Sequence, residues 1–245
     1  MSSHRIGEMT GVAAACAAAM IVSVTTAPLG AAEDILQRMR ATYAELRSYA
    51  DTGVVIHEYG TASTDRHTFI TNFNREPRRF VLDFRKQNGD RYVIWGDPDA
   101  FHTWWKATGQ RYDYPNPNNA PAIAVAPNSG GTASKIPTLL YSKAALGGFL
   151  NNFVDVTNDG TEVSGGHRCH RLRGRSSDFY AATGHESNVH TTTLWIDSES
   201  LLIRKVLEEW PPLPGQRSRD ITTYEPQANP AIDEGRFQFT PPTMK

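Results

Sequence analysis

The chain has 245 residues, of which 25 are Lys or Arg and 26 are Asp or Glu, for a formal net charge of −1. That near-neutral balance excludes a general nucleic-acid binder, which needs a clustered basic surplus to meet phosphates. The length suits one domain with a core of its own, and no stretch reaches the roughly 20 apolar residues that a membrane-spanning helix requires.

The first 32 residues read as an export signal: a polar head with His4 and Arg5, an apolar run from Val12 to Val24, then small residues ending Gly30-Ala31-Ala32. Cleavage is expected after Ala32, leaving a soluble periplasmic chain of residues 33–245 that forms a single domain. Cys16 follows Ala13-Ala14-Ala15, where lipid-attachment sites favour leucine, and the apolar run continues beyond it, which disfavours a lipid anchor. After cleavage only Cys169 remains, so no intrachain disulfide can form.

Asp34 is placed to cap a helix whose apolar positions Ile35, Leu36, Met39, Tyr43, Leu46 and Tyr49 recur at three- and four-residue spacing, with Gly53 just past its end. The period then changes to two. Val54 to Tyr59, His67 to Phe73, Arg79 to Arg85, Arg91 to Trp95, Ala100 to Trp105 and Gln110 to Tyr114 are short β-branched and aromatic runs, separated by turns such as Asn88-Gly89 and Asp97-Pro98. Close spacing and hairpin turns predict an antiparallel meander. In the third run Phe80, Leu82 and Phe84 face one way and Arg79, Asp83 and Arg85 the other, so one face is apolar and the other charged.

Prolines 115, 117, 121, 127 and 137, with Gly130 and Gly131, predict a long loop over 115–137. A short apolar helix from Leu139 to Leu150 then completes an excursion able to lie over the sheet as a lid. Strands resume near Val163, at His167 to Arg173 and at Val189 to Asp197, which turns through Ser198-Glu199-Ser200 into Leu201 to Glu208. A proline-rich break at Pro211 to Pro214 precedes a last strand, Ile221 to Tyr224.

Two local features, the Leu194-Trp195-Ile196-Asp197 to Leu202-Ile203-Arg204-Lys205 hairpin and the tail Tyr224, Asn229-Pro230, Asp233, Phe237, Phe239, Pro241-Pro242, together with the order of parts, resemble the bacterial lipoprotein-carrier family. That family comprises the carrier LolA, its receptor LolB and related outer-membrane lipoprotein-sorting-like domains. The resemblance implies an α+β, mainly antiparallel fold: a curved, unclosed half barrel with an N-terminal amphipathic helix and a helical lid over an apolar concave face. It also implies uptake of acyl chains of a lipoprotein or lipid by reversible burial, with no catalysis and no cofactor.

On that reading Phe69, Phe80, Leu82, Phe84, Phe101, Tyr112 and Tyr114 line the ligand face; the same residues also suit a plain core. His167, Cys169 and His170 are residue types that bind zinc, but on one strand His170 points away from the other two, so no metal is expected. Arg171, Arg173 and Arg175, and Arg75, Arg78, Arg79 and Arg85, are able to hold phosphates yet fit the wet face of a sheet. No nucleophile elbow, zinc-protease helix, phosphate loop or dinucleotide fingerprint is present, so an enzyme is not expected. Two alternatives stay open: an envelope regulatory or sensor module of the same fold that binds a protein partner, and a hydrolase with an unrecognised site.

Overall fold

A computed structural model describes residues 29–60, 63–115, 133, 135–141, 149–180, 185–211 and 218–242. Most of the expected export segment, residues 116–132 and 134 of the proline-rich 115–137 stretch, the middle of the expected 139–150 helix and residues 212–217 lie outside the described residues.

Helix α1 runs Leu29–Glu45, starting and ending earlier than its spacing predicts. Asp34 lies inside it, 3.6 Å from Arg38 one turn on, and so does not cap it. Ile35, Leu36, Met39 and Tyr43 form the expected buried stripe. Tyr49 is not part of it, because strand β1 (Ser48–Tyr59) has already begun. Leu46 and Tyr49 happen to be three apart, which extends the helical pattern in sequence, whereas Tyr49, Asp51, Val55 and His57 are buried at strand spacing.

The remaining strands are β2 (Ser63–Arg75), β3 (Arg78–Arg85), β4 (Arg91–Gly96), β5 (Phe101–Trp105), β6 (Gln110–Tyr114), β7 (Val154–Ser164), β8 (His167–Tyr180), β9 (His185–Asp197), β10 (Ile203–Glu209), β11 (Arg219–Tyr224) and the short β12 (Gln227–Ala228). They join one sheet in the order β6-β5-β4-β3-β2-β1-β11-β10-β9-β8-β7, with β12 alongside β1. Each of these pairings is antiparallel and β6 does not meet β7, so the sheet is the open, mainly antiparallel architecture expected. Among the described residues no helix is long and apolar enough to cross a membrane.

The lid differs from its expectation. Helix α2 is Lys135–Leu140, with Pro137 in its first turn, where a missing N–H costs nothing because those donors have no intrahelical partner anyway. A 3-10 turn follows at Phe149–Asn152. The inner face of the sheet, α1 and α2 share one apolar cluster that includes Met39, Tyr43, Phe69, Phe80, Ile136 and Leu140.

The outer face is not purely charged, as the alternation in β3 predicted. Val81, Val93, Trp95 and Trp104 form a second cluster there with Phe237 of the C-terminal tail. Phe239 adds ring contacts to Trp95 (5.0 Å) and Trp104 (5.4 Å). The tail is held in place upstream by Asn229, whose Oδ1 accepts from the Arg47 amide at 2.7 Å, and by the Ser48 hydroxyl, which donates to the Pro230 carbonyl at 2.6 Å.

Gly53 lies within β1 rather than beyond a helix. A Cβ there would run into the Phe69 ring and the Thr223 carbonyl oxygen, since Phe69 lies across β1 to reach Tyr224, ring to ring at 5.4 Å. Gly53→Ala is therefore expected to cost about 3 kcal/mol, at the upper end of overpacking penalties, and thermal unfolding measures it.

Candidate functional site

The seven residues expected on the ligand face do share one face, because their strands pair in a register that keeps their parity. Phe80, Gly96, Phe101 and Tyr114 form one cross-strand row, Leu82, Ile94, Thr103 and Tyr112 the next, and Phe69, Phe84, Tyr92 and Trp105 a third. Phe69, Phe80, Leu82, Phe84 and Phe101 are buried in the main cluster. Toward the edge strand the cover thins. Tyr114 stacks on Phe101 at 4.6 Å and is only partly buried, while Tyr112 is 51 % exposed.

The cover is fastened by an arginine. Arg75 donates to the carbonyls of Leu46 (2.7 Å) and Tyr43 (3.1 Å) at the end of α1, and to that of Leu140 (3.4 Å) at the end of α2. Both helices thus end on one guanidinium, which satisfies carbonyls that have no partner within a helix. Tyr141, just past α2, meets the rings of Phe73 (5.5 Å) and Phe80 (5.8 Å). Of the other arginines of that group, Arg78 lies over the Tyr141 ring at 5.7 Å, Arg79 turns to Glu234 at 3.3 Å and Arg85 to Asp83 at 2.9 Å.

A band of buried ionisable groups on the same inner face was not anticipated. His57 Nδ1 lies 2.6 Å from Asp220, its register partner, and Asp220 in turn pairs in register with Glu208. Glu208 accepts from His190 Nε2 at 3.1 Å and is ion-paired with Lys135 of α2. Burial raises the Glu208 pKa, but the charges of Lys135 and His190 outweigh it and hold the carboxyl at about 2. The signal was available in parity: counting by twos from Val55 reaches His57, and from Val206 reaches Glu208, so each polar residue falls at an inward position.

Asp51 is a further buried acid. Burial pushes it up to about 6, against the lowering effect of hydrogen bonds from the Tyr49 hydroxyl (2.7 Å) and the Thr71 amide (3.1 Å). A carboxyl raised from 3.8 to about 6 stabilises the fold fully below pH 4, and that stability is lost as pH rises through 6. Asp51→Asn removes this dependence. Urea unfolding should show the variant gaining about 3 kcal/mol on the wild type between pH 4 and pH 7.

Cys169 pairs in register with Asp197 and His170 with Ile196, so the cysteine and His170 occupy opposite faces. Asp197 itself is bound up in turn chemistry. Its Oδ1 accepts from the amides of Glu199 and Ser200, both at 3.0 Å, and its Oδ2 meets Arg204. Arg171 pairs with Glu162 (3.6 Å) and Arg175 with Asp155 (3.1 Å). On the outer face a shallow cavity of about 420 Å³ is lined by Thr52, Val54, Thr68, Ile70, Asp83 and Arg85, among others, and reaches Phe69 through the gap at Gly53.

These features define an open antiparallel sheet with one apolar, helix-covered face. No family model and no curated protein matches the chain. Among solved structures it is similar to the Mycobacterium tuberculosis lipoprotein LppX, at 12 % identity over 84 % of this chain and 99 % of that one, TM-score 0.48. It is also similar to the Pseudomonas aeruginosa MucA/MucB complex structure, at 15 % identity over 86 % of this chain and 61 % of that chain, TM-score 0.45. A LolA superfamily protein from Nitrosomonas europaea aligns at 8 % identity over 85 % of this chain and 97 % of the other, TM-score 0.37.

Proposed function

We propose that residues 33–245 act as a single exported periplasmic domain that takes up the acyl chain of a lipid or lipoprotein by burial against the inner face, without a catalytic step. One observation carries this: the apolar face runs on past its helical cover, from fully buried Phe101 to partly buried Tyr114 and half-exposed Tyr112 on the edge strand. An aromatic surface that continues to the edge strand, half exposed at Tyr112, offers an alkyl chain a path, and each buried CH₂ contributes about 0.8 kcal/mol. Phe101, Tyr112 and Tyr114 meet the chain first, with Phe69, Phe80, Leu82 and Phe84 forming the floor behind them.

The test is a titration with a fluorescent fatty acid. Tyr112→Ala and Tyr114→Ala are each expected to weaken the probe about tenfold; Tyr112→Ala should cost less than about 1 kcal/mol of stability because its side chain is half exposed, and Tyr114→Ala about 1–2 kcal/mol because it also gives up the stack on Phe101. Wild-type protein that leaves the probe in solution at millimolar concentration rejects the reading.

A further inference from the structure

Resting on the reading that the inner face takes an amphiphile, we propose that its Glu208 corner is a site for a primary ammonium head group, which α2 fills with its own Lys135. Lys135 shows what the corner accepts: its ammonium ion-pairs with the buried Glu208 carboxylate, to which His190 is also bonded. Behind Lys135, Ile136, Leu139 and Leu140 are buried in the cluster of the inner face. Helix α2 therefore presents to the sheet what a long-chain amine presents, an apolar body ending in an ammonium.

A second observation points the same way. Thr192 is the register partner of Glu208, and Ser176 that of His190. Both side chains are buried, and among the described residues neither hydroxyl has a hydrogen-bond partner. An ammonium carries three donors, and Glu208, Thr192 beside it in register and Ser176 one row on beyond Thr192 offer acceptors on one face. Phe153 walls the corner, close enough that a Cβ on Gly174 would lie 2.7 Å from its ring. Glu208 and its register partner Asp220 make the corner hostile to a carboxylate or phosphate head, and a neutral alcohol forgoes the attraction of a buried carboxylate that stays ionised.

Hexadecylamine, hexadecanol and palmitate, matched in chain length, separate the possibilities when each displaces a fluorescent fatty acid from the full chain. The amine should displace at about tenfold lower concentration than the alcohol. Thr192→Val and Ser176→Ala should each weaken the amine by about threefold or more and leave the alcohol unchanged. On wild-type protein, hexadecylamine should speed amide hydrogen exchange over residues 135–140 by displacing α2, whereas hexadecanol should not; this readout needs no variant to fold. Equal binding of all three amphiphiles, with variants that treat them alike and no change in exchange, overturns the ammonium site and leaves the acyl reading standing. If none of the three binds, both readings fail.

Discussion

Phe84→Ala is expected to remove about 3–5 kcal/mol of folding stability, the usual cost of deleting a fully buried aromatic ring. Phe84 has no exposed surface; it stands between Phe69 and Tyr92 in register and meets the His67 ring edge-on at 5.4 Å. Its neighbours are fixed by strand pairing on both sides, so the cavity cannot collapse. Leu82→Ala, in the next row, should cost about 2–5 kcal/mol for the same reason. Urea unfolding with an unchanged denaturant slope measures both losses. A loss under about 1 kcal/mol at Phe84 would falsify the packed floor and mean that the face is open without ligand. The contrast with Tyr112, where little stability is at stake, divides the inner face into a floor that holds the sheet to its helices and an edge that is available to a ligand.

The meander β2–β6 was legible in sequence to within a few residues, because period-two alternation with Asn-Gly and Asp-Pro turns is a strong local signal. The edge strand β7 was not. Its Val154–Asn158 segment has only Val154 and Val156 as apolar residues, the first exposed and the second partly buried, and it is bulged against β8, so the alternation is too short to read as a strand. The helix boundary failed for a related reason, since Leu46 and Tyr49 bury against the same core from different elements and so mimic one stripe. All seven candidate residues were readable as one face, because parity survives any error in strand ends. The ionisable band was unreadable as a group: His57, Asp220, Glu208 and His190 are scattered over 164 positions and meet only through long-range pairing. Lys135 was hidden further, since it falls inside the proline-rich 115–137 stretch that reads as loop.

Lys135→Met alone should cost about 3–5 kcal/mol, because it removes the ammonium paired with the buried Glu208 carboxylate. Combining it with Glu208→Gln should recover most of that loss. The glutamine keeps an acceptor for His190 Nε2, and no uncompensated charge remains. The side chains of the pair are 15 % and 6 % exposed, so both charges lose hydration on folding, and their attraction does little more than offset that cost. The double-mutant cycle, read by urea unfolding at pH 7, should therefore show a coupling of several kcal/mol with a small net loss, and the coupling should change little between 0.1 and 1 M salt because a buried pair is poorly screened. Additive losses would mean that Lys135 is seated by its alkyl stem alone. A coupled but nearly neutral pair adds little to the fold's stability, whereas any seating of α2 that leaves Lys135 away from Glu208 strands a buried charge. What the pair supplies is placement: it fixes α2 over the Glu208 corner of the inner face.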